Sequence, residues 1–259
     1  MRKTQNMQIV RQTLIARGIY EIVLCGDLVR TMRVPGQFVH VKTSDAGSND
    51  SLLRRPISIC ELDYEKKQLT LLYRAQGAGT DWLARRQAGD VVDVMGPLGS
   101  GFPPETVTAG ERAILIGGGI GVPPLYELAR QLQGQGKPVI AVLGFGTQAD
   151  VFYEGKFRAV CDEVYITTMD GSYGTKGTVL DVIQAENLDF DCLFACGPDV
   201  MLHALNTAYA GAKQGYLSFE ARMACGMGAC YACVCALNSG ISARICKEGP
   251  VFKMGEVAL

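Results

Sequence analysis

The hydrophobic rhythm of the chain changes once, near Pro103-Pro104. Before that point apolar and polar residues alternate over short runs separated by turn residues, the period-2 signature of half-buried strands. Strands are predicted over 8–15 and 19–25, around Gly18, and over 37–42 after a Pro35-Gly36 turn. Two more, over 57–62 and 69–74, flank the polar stretch Asp63-Tyr64-Glu65-Lys66-Lys67, which reads as a hairpin. A short helix over 81–87 and a strand over 91–95, ahead of Pro97-Leu98-Gly99, complete what this spacing predicts to be a small antiparallel β-barrel.

After Pro104 an apolar strand over 113–116 runs into Gly117-Gly118-Gly119-Ile120-Gly121, and Leu125, Leu128, Ala129 and Leu132 then recur at helical spacing. Pro123 and Pro124 stand where a first helical turn tolerates proline. Strands over 139–144, 163–168 and 192–196 alternate with helical stretches over 178–185 and 200–213, the order of a parallel α/β nucleotide-binding sheet. From about Ser218 the composition turns to Gly and Cys. The organisation expected is therefore a barrel domain over 1–103, an α/β domain over 104–217 and an extension over 218–259 with no third core.

With 259 residues, 48% of them hydrophobic, the chain is long enough for two ordinary cores. Its net charge of −1 gives no basic field to recommend nucleic acid or an anionic membrane as a partner. The opening Met1-Arg2-Lys3-Thr4-Gln5-Asn6 leads into no apolar signal core and no run approaches membrane-spanning length, so a reducing, cytoplasmic setting is expected for the ten cysteines. The two histidines, His40 and His203, are far apart, which supports neither a histidine-rich metal site nor a Ser-His-Asp triad.

Four of the cysteines, Cys225, Cys230, Cys233 and Cys246, are spaced C-x4-C-x2-C-x12-C, the ligand pattern of a plant-type [2Fe–2S] cluster. Gly226 and Gly228 let the loop curl around a compact inorganic core and turn its N–H groups toward sulfur. Ala229, Ala232 and Ala236 keep the shell small. The alternative is a structural zinc site, although zinc ribbons bring two C-x2-C knuckles and only Cys230 to Cys233 is one. Cys235 fits neither pattern and reads as a small buried hydrophobe.

The glycine loop from Gly117 through Gly119 and Gly121 to Pro124 ends a strand and opens a helix, so its N–H groups and the helix dipole can hold a pyrophosphate. It lacks the third glycine of the Rossmann fingerprint, and a plain tight turn is the other reading. In the barrel half, Arg54-Arg55-Pro56-Ile57-Ser58 begins one strand, and Leu72-Tyr73-Arg74-Ala75-Gln76-Gly77-Ala78-Gly79-Thr80 ends the next and enters a helix. An Arg fork suits a diphosphate, Ser58 a flavin ring nitrogen, and Gly79-Thr80 the same diphosphate.

Together these elements resemble the ferredoxin–NADP reductase superfamily. Its flavin site is an R-x-Y-S element on a barrel strand plus a glycine-rich element on the following helix. Cys196-Gly197-Pro198-Asp199-Val200-Met201 looks like the CGPxxM element of that family, which flanks the nicotinamide next to the flavin. A buried strand-end thiol is the other reading of Cys196. The resemblance implies FAD held through Arg55, Pro56, Ile57, Ser58, Leu72, Tyr73, Arg74, Gly79 and Thr80. It also implies a nicotinamide nucleotide held through the glycine loop, Cys196, Gly197 and Pro198, with Ser58 and Cys196 nearest the chemistry. The chain departs from the pattern at Ile57, where the family has an aromatic; Tyr73 is the expected substitute. It ends in Glu256-Val257-Ala258-Leu259 and not in a flavin-covering aromatic.

A reductase barrel, a nucleotide domain and a C-terminal [2Fe–2S] extension form a narrower combination. With Leu53-Arg54-Arg55-Pro56-Ile57-Ser58, the glycine loop, Met223 to Cys233 and Cys246-Lys247-Glu248-Gly249-Pro250-Val251-Phe252, the chain is similar to the electron-transfer subunits of NAD-dependent, type B dihydroorotate dehydrogenases. That resemblance implies passage of electrons from the FMN of a separate catalytic subunit, in a hetero-oligomer of two copies of each, to NAD+. Because a nicotinamide moves a hydride and an iron–sulfur cluster one electron, the order must be cluster, FAD, NAD. The cluster loop then faces a partner, and Tyr231 and Phe252 either line that docking face or pack around the cluster. Met169-Asp170-Gly171 stands where NADP-using relatives place a Ser-Arg pair for the 2′-phosphate, so an acid at Asp170 favours NAD. Related flavin and [2Fe–2S] subunits of ferredoxin transhydrogenases, sulfide dehydrogenases and sulfite reductases share the chemistry with other partners; a zinc-bearing, nucleotide-sensing module is the non-enzymatic alternative.

Overall fold

The computed structural model describes residues 3–45 and 52–258, so Met1-Arg2 of the opening stretch and the terminal Leu259 lie outside the described residues. Six strands close a barrel in the order β1-β2-β5-β4-β3-β6: β1 (Lys3–Ala16), β2 (Ile19–Cys25), β3 (Phe38–Val41), β4 (Arg55–Asp63), β5 (Gln68–Arg74) and β6 (Val91–Leu98). β1 is longer than its hydrophobic pattern predicts. Its polar start, Lys3 to Gln8, pairs with Gly96 to Val91 of β6, while Gln8 to Ala16 pairs with β2, so one strand serves two neighbours and closes the barrel. Inside, Met7, Ile9, Ile22, Leu24, Ile59, Leu69, Leu71 and Val94 are buried, the alternation expected of barrel strands. The Asp63–Lys67 hairpin joins β4 to β5 as expected. The helix α1 (Ala78–Ala84) starts three residues earlier than its pattern predicts, at Ala78 instead of Asp81, because the Gly77 and Gly79 backbone accepts a helical turn that side-chain periodicity does not signal.

The second unit is a seven-stranded sheet in the order β10-β9-β8-β7-β11-β12-β15, from β7 (Ala113–Gly118), β8 (Val139–Phe145), β9 (Glu163–Thr168), β10 (Thr175–Lys176), β11 (Cys192–Cys196), β12 (Gln214–Ser218) and β15 (Val251–Lys253). All neighbours are parallel except β12 and β15. Helices α2 (Pro123–Gly134), α3 (Glu154–Arg158), α4 (Val179–Ala185) and α5 (Asp199–Tyr209) intervene. Ala113, Ile114, Leu115 and Ile116 are wholly buried, which is why this strand reads as an unbroken apolar run. Pro123 and Pro124 occupy the first turn of α2, and the Thr178 hydroxyl caps α4 by accepting from Asp181 N (3.3 Å). The chain order reverses between β7 and β11. In open α/β sheets a crevice forms beyond the carboxyl ends of the strands at such a reversal.

The hairpin β13 (Val234–Ala236) and β14 (Ser242–Arg244) belongs to the C-terminal extension, and β15 returns from it to pair antiparallel with β12. Barrel and sheet are joined through polar contacts: Glu127 on α2 accepts from Leu62 N (3.2 Å), and Arg17, at the β1–β2 turn, donates twice to Asp150 (3.0 and 2.7 Å). No helix among the described residues is long and apolar enough to cross a membrane.

Candidate functional site

One cleft is walled by all three parts of the chain. The barrel supplies Phe38, Arg55, Ile57, Ser58, Tyr73 and Arg74; the glycine loop and β11 supply Ile120 and Cys196; the extension supplies Phe219, Glu220, Met223 and Pro250. Pro56, Leu72 and Thr80 also line it, so the expected flavin residues converge except Gly79, which lies directly beneath. A Cβ on Gly79 would stand 2.8 Å from Arg55 Nε and 2.6 Å from Thr43 Oγ1, so only glycine lets the guanidinium lie across the opening turn of α1. The adjacent arginines are separated by their hydrogen bonds. Arg54 is spent on the barrel, donating to both carboxylate oxygens of Asp93 (3.1 and 2.5 Å), while Arg55 is turned to the cleft.

Tyr73 reaches the cleft but is tied to the barrel: its ring stacks on Tyr20 with centroids 5.7 Å apart, and its hydroxyl donates to Gln12 Oε1 (2.9 Å). Cys196 is buried, and burial first, then the Glu220 charge, push its thiol up to about 12 against a hydrogen bond with Ser218. It is a neutral thiol at physiological pH. Phe38, Phe219 and Glu220 were not expected here. The first two bring aromatic surface that Ile57 lacks; desolvation and the nearby Asp199 charge hold the Glu220 carboxyl above its usual range. No local motif marks them: Phe38 is an ordinary strand residue of the barrel, and Phe219 and Glu220 reach the cleft only because a distant segment folds back onto it.

A second groove opens beyond the carboxyl ends of β7 and β11, lined by Gly118, Gly119, Phe145, Met169, Pro198 and Met201 among others. The glycines of the loop divide their work. Gly119, at φ +53°, has open space where a Cβ would stand, so its backbone faces the groove. Gly117 and Gly121 instead permit close packing: added methyl carbons would meet Val122 at 2.7 Å and the Cys196 carbonyl at 2.3 Å. Pro124 is buried in α2 and does not reach the groove. Gly197 packs on Met201 and Gly118, joining the two motifs. Asp170 is not among the lining residues although its neighbour Met169 is; its carboxylate accepts from Ser172 N (2.9 Å) and Oγ (2.6 Å), which lowers its pKa.

The four spaced cysteines fall into two pairs, Cys225 with Cys230 and Cys233 with Cys246. Among the described residues no three His, Cys, Asp or Glu side chains converge as ligands of one ion. Two thiol pairs are the donor set for two irons, so the residues fit a [2Fe–2S] core better than a single tetrahedral zinc. Burial alone would push the Cys225 thiol up, but N–H groups of Met227 (3.4 Å) and Ala229 (3.3 Å), together with Cys230, bring it down to about 6. Cys246, wholly buried, is held at about 12: burial and the adjoining Cys233 sulfur push it up and outweigh a backbone hydrogen bond from Gly228. Cys235 lies on β13, half-buried, opposite Ala243. Arg244 ties the loop down by donating to Gly228 O (2.7 Å), with its guanidinium 4.9 Å from the Tyr231 ring centroid. Tyr231 is 63% exposed beside exposed Cys230 and Met227, whereas Phe252 is buried against Phe219 on β15 and packs the interior. Of the two aromatics considered for a docking face, only Tyr231 is placed to serve.

A family profile described as the iron–sulfur cluster binding domain of dihydroorotate dehydrogenase B matches residues 220–258. The chain is 54% identical over 257 residues, with 98% of each chain covered, to the electron transfer subunit of dihydroorotate dehydrogenase B (NAD(+)) from Bacillus caldolyticus. It is 53% identical, over the full length of both, to the subunit of the same name from Bacillus mycoides. Among solved structures, an NADH-dependent reduced ferredoxin-NADP oxidoreductase superposes with a TM-score of 0.86 at 28% identity, covering 99% of this chain and 91% of that one. A ferredoxin reductase of carbazole 1,9a-dioxygenase shares the fold at a TM-score of 0.68 and 20% identity, over 82% of this chain and 67% of that one. The cofactors of this chain are accordingly FAD, a [2Fe–2S] cluster and NAD, on a ferredoxin–NADP reductase-like fold. With full-length identity above one half, the cysteine spacing and the barrel motif agreeing, the chain belongs to the electron-transfer subunits of NAD-dependent dihydroorotate dehydrogenase B.

Proposed function

We propose that this chain takes electrons from an FMN-containing subunit that oxidises dihydroorotate and delivers them to NAD+, in a cytoplasmic hetero-oligomer holding two copies of each subunit. The observation that carries this reading is the shared wall of the first cleft. Met223 lies two residues before Cys225 and Pro250 four after Cys246, so the segment that holds the cluster also lines the cleft for the flavin. Cys196 and Ile120 bring the nucleotide groove to the same cleft from the other side.

When bound, a flavin exchanges a hydride with nicotinamide and single electrons with an iron–sulfur centre. The residues of the chain serve that conversion by position. Arg55 and the backbone at Gly79 and Thr80 hold the FAD diphosphate; Ser58 presents its hydroxyl to the ring; Pro56, Ile57, Leu72, Tyr73 and Arg74 shape the cavity. Gly119 and the backbone of Gly197 and Pro198 hold the nicotinamide nucleotide, over the turns that Gly117, Gly121 and Pro124 make possible, and Asp170 stands at the ribose end. The neutral Cys196 thiol and Ser58 exclude water where the two rings meet. Cys225, Cys230, Cys233 and Cys246 ligate the cluster, and exposed Met227 and Tyr231 form an apolar rim where a partner excludes water.

The test is reconstitution. Alone, the chain should oxidise NADH with dye acceptors and show no dihydroorotate oxidation, because removing two hydrogens from that substrate needs a positioned base and a flavin against the substrate carbon. Adding the FMN-containing subunit should give NADH formation from dihydroorotate and NAD+. The TM-score of 0.86 to a ferredoxin-linked oxidoreductase keeps one other partner in view, and activity with ferredoxin in place of the FMN subunit would select it.

A further inference from the structure

We propose that His40 is a hydrogen-bond donor to the sulfur atoms of the bound cluster, and that it helps set the reduction potential of the cluster from the barrel side. The proposal rests on the assignment of the cluster to the four spaced cysteines. His40 lies in the middle of β3, wholly buried, and among the described residues neither of its ring nitrogens has a hydrogen-bond partner. Two orphaned nitrogens in one buried side chain are costly, and a hydrophobe would fill a barrel wall better.

The direction of the ring says what it is for. Gly226 follows the ligand Cys225, and a Cβ built on it would stand 2.5 Å from His40 Cε1 and 2.8 Å from both Nδ1 and Nε2. The imidazole therefore sets its Cε1 apex against the cluster loop with Nδ1 and Nε2 flanking the contact, so in either tautomer the N–H leaves the ring beside that loop. Gly226 also takes φ +66°, so glycine satisfies two demands: a left-handed turn and room for the ring. Along β3, Phe38 two residues earlier lies on the same face, contacts the His40 ring with centroids 5.7 Å apart, and lines the flavin cleft. One strand thus touches both cofactor sites. An N–H donated to cluster sulfur favours the reduced, more negative state and raises the potential.

The chain contains two histidines, and His203 sits on α5, so isotope labelling isolates the contact. In the full chain labelled with 15N-histidine, the reduced cluster should show a weak nitrogen coupling by pulsed EPR. That coupling should vanish in His40→Gln, whose unlabelled amide still donates. In a potentiometric EPR titration, His40→Leu should lower the midpoint by about tenfold in the oxidised-to-reduced equilibrium, 59 mV for one electron, and His40→Gln should restore much of it. A cluster signal without histidine coupling would overturn the proposal even if His40→Leu did not fold, and so would an unchanged midpoint in His40→Leu. A wild-type chain lacking the cluster signal would overturn the cluster assignment, and the proposal with it.

Discussion

Gly121 lies so close beneath Cys196 that a Cβ there would stand 2.3 Å from the Cys196 carbonyl oxygen and 2.6 Å from Gly197 N. The glycine loop and the strand-end motif, 75 residues apart in sequence, are in backbone contact at the point where the sheet order reverses. Because both atoms met are backbone, neither can yield without moving β11. Gly121→Ala should destabilise the fold by about 1–3 kcal/mol through overpacking. It should also raise KM for NADH, since Ile120 and Cys196 move with the loop. A variant with unchanged Tm and KM would mean that the two turns slide past each other freely.

Arg55→Ala should loosen FAD. A charge-assisted hydrogen bond is worth about 1.5–3 kcal/mol, or roughly tenfold to over a hundredfold in Kd. Arg54→Ala should act differently, lowering barrel stability by breaking the Asp93 pair while leaving the cleft face intact. Flavin fluorescence on dilution separates them; equal FAD loss in both would contradict the division of roles.

Cys230→Ser should abolish or destabilise the cluster and leave FAD reduction by NADH intact, because hydride transfer uses only the first cleft and the groove. Cys235→Ser, on β13 and outside both thiol pairs, should keep it. Iron and sulfide assays decide, and a Cys235 variant without sulfide would reassign the fourth ligand.

Steady-state kcat/KM should favour NADH over NADPH. The carboxylate of Asp170, fixed by Ser172 near Met169, opposes a 2′-phosphate, and Asp170→Asn should improve NADPH use by about fivefold at most, because the site is solvent-screened. No change in the NADPH to NADH ratio would remove Asp170 from the site.

Acid should weaken one of the contacts that join the barrel to the sheet. Asp150 accepts from Arg17 and Thr147; burial raises its pKa, but these hydrogen bonds and the Arg17 charge outweigh it and leave the folded value depressed. A depressed carboxylate stabilises the fold above its unfolded pKa of about 3.9, and that contribution is lost as pH falls through the lower folded value. Arg17→Ala should therefore cost about 1 kcal/mol at neutral pH, and the gap between wild type and variant should close as pH falls below the unfolded carboxylate range through the lower folded value; a gap that stayed constant with pH would rule the pair out as its cause.

Local chemistry made much of this protein legible. The shift from period-2 to apolar runs and helical spacing separates barrel strands from parallel ones, because a half-buried strand must alternate and a doubly covered one cannot. The four cysteines announce the cluster because ligand spacing is a property of the chain alone. Arg55, Ser58, Gly119 and Cys196 carry motifs short enough to read; Arg55, Ser58 and Cys196 line one cleft, and Gly119 the groove beside it. What remained hidden was settled by distant segments. The polar start of β1 becomes a strand only because β6 offers it a partner, and β15 joins the sheet because β12 leaves an edge to cover. Phe252 reads equally as docking face or interior until β15 turns it inward. Phe38, Phe219 and Glu220 have no motif, and His40 looks like an ordinary structural histidine until Gly226 is seen against its nitrogens. Ligand spacing and strand period are encoded by neighbours in sequence, so the sequence by itself determined them; which face of a residue is buried, and against what, depends on contacts between segments far apart along the chain, and only the tertiary structure decided it.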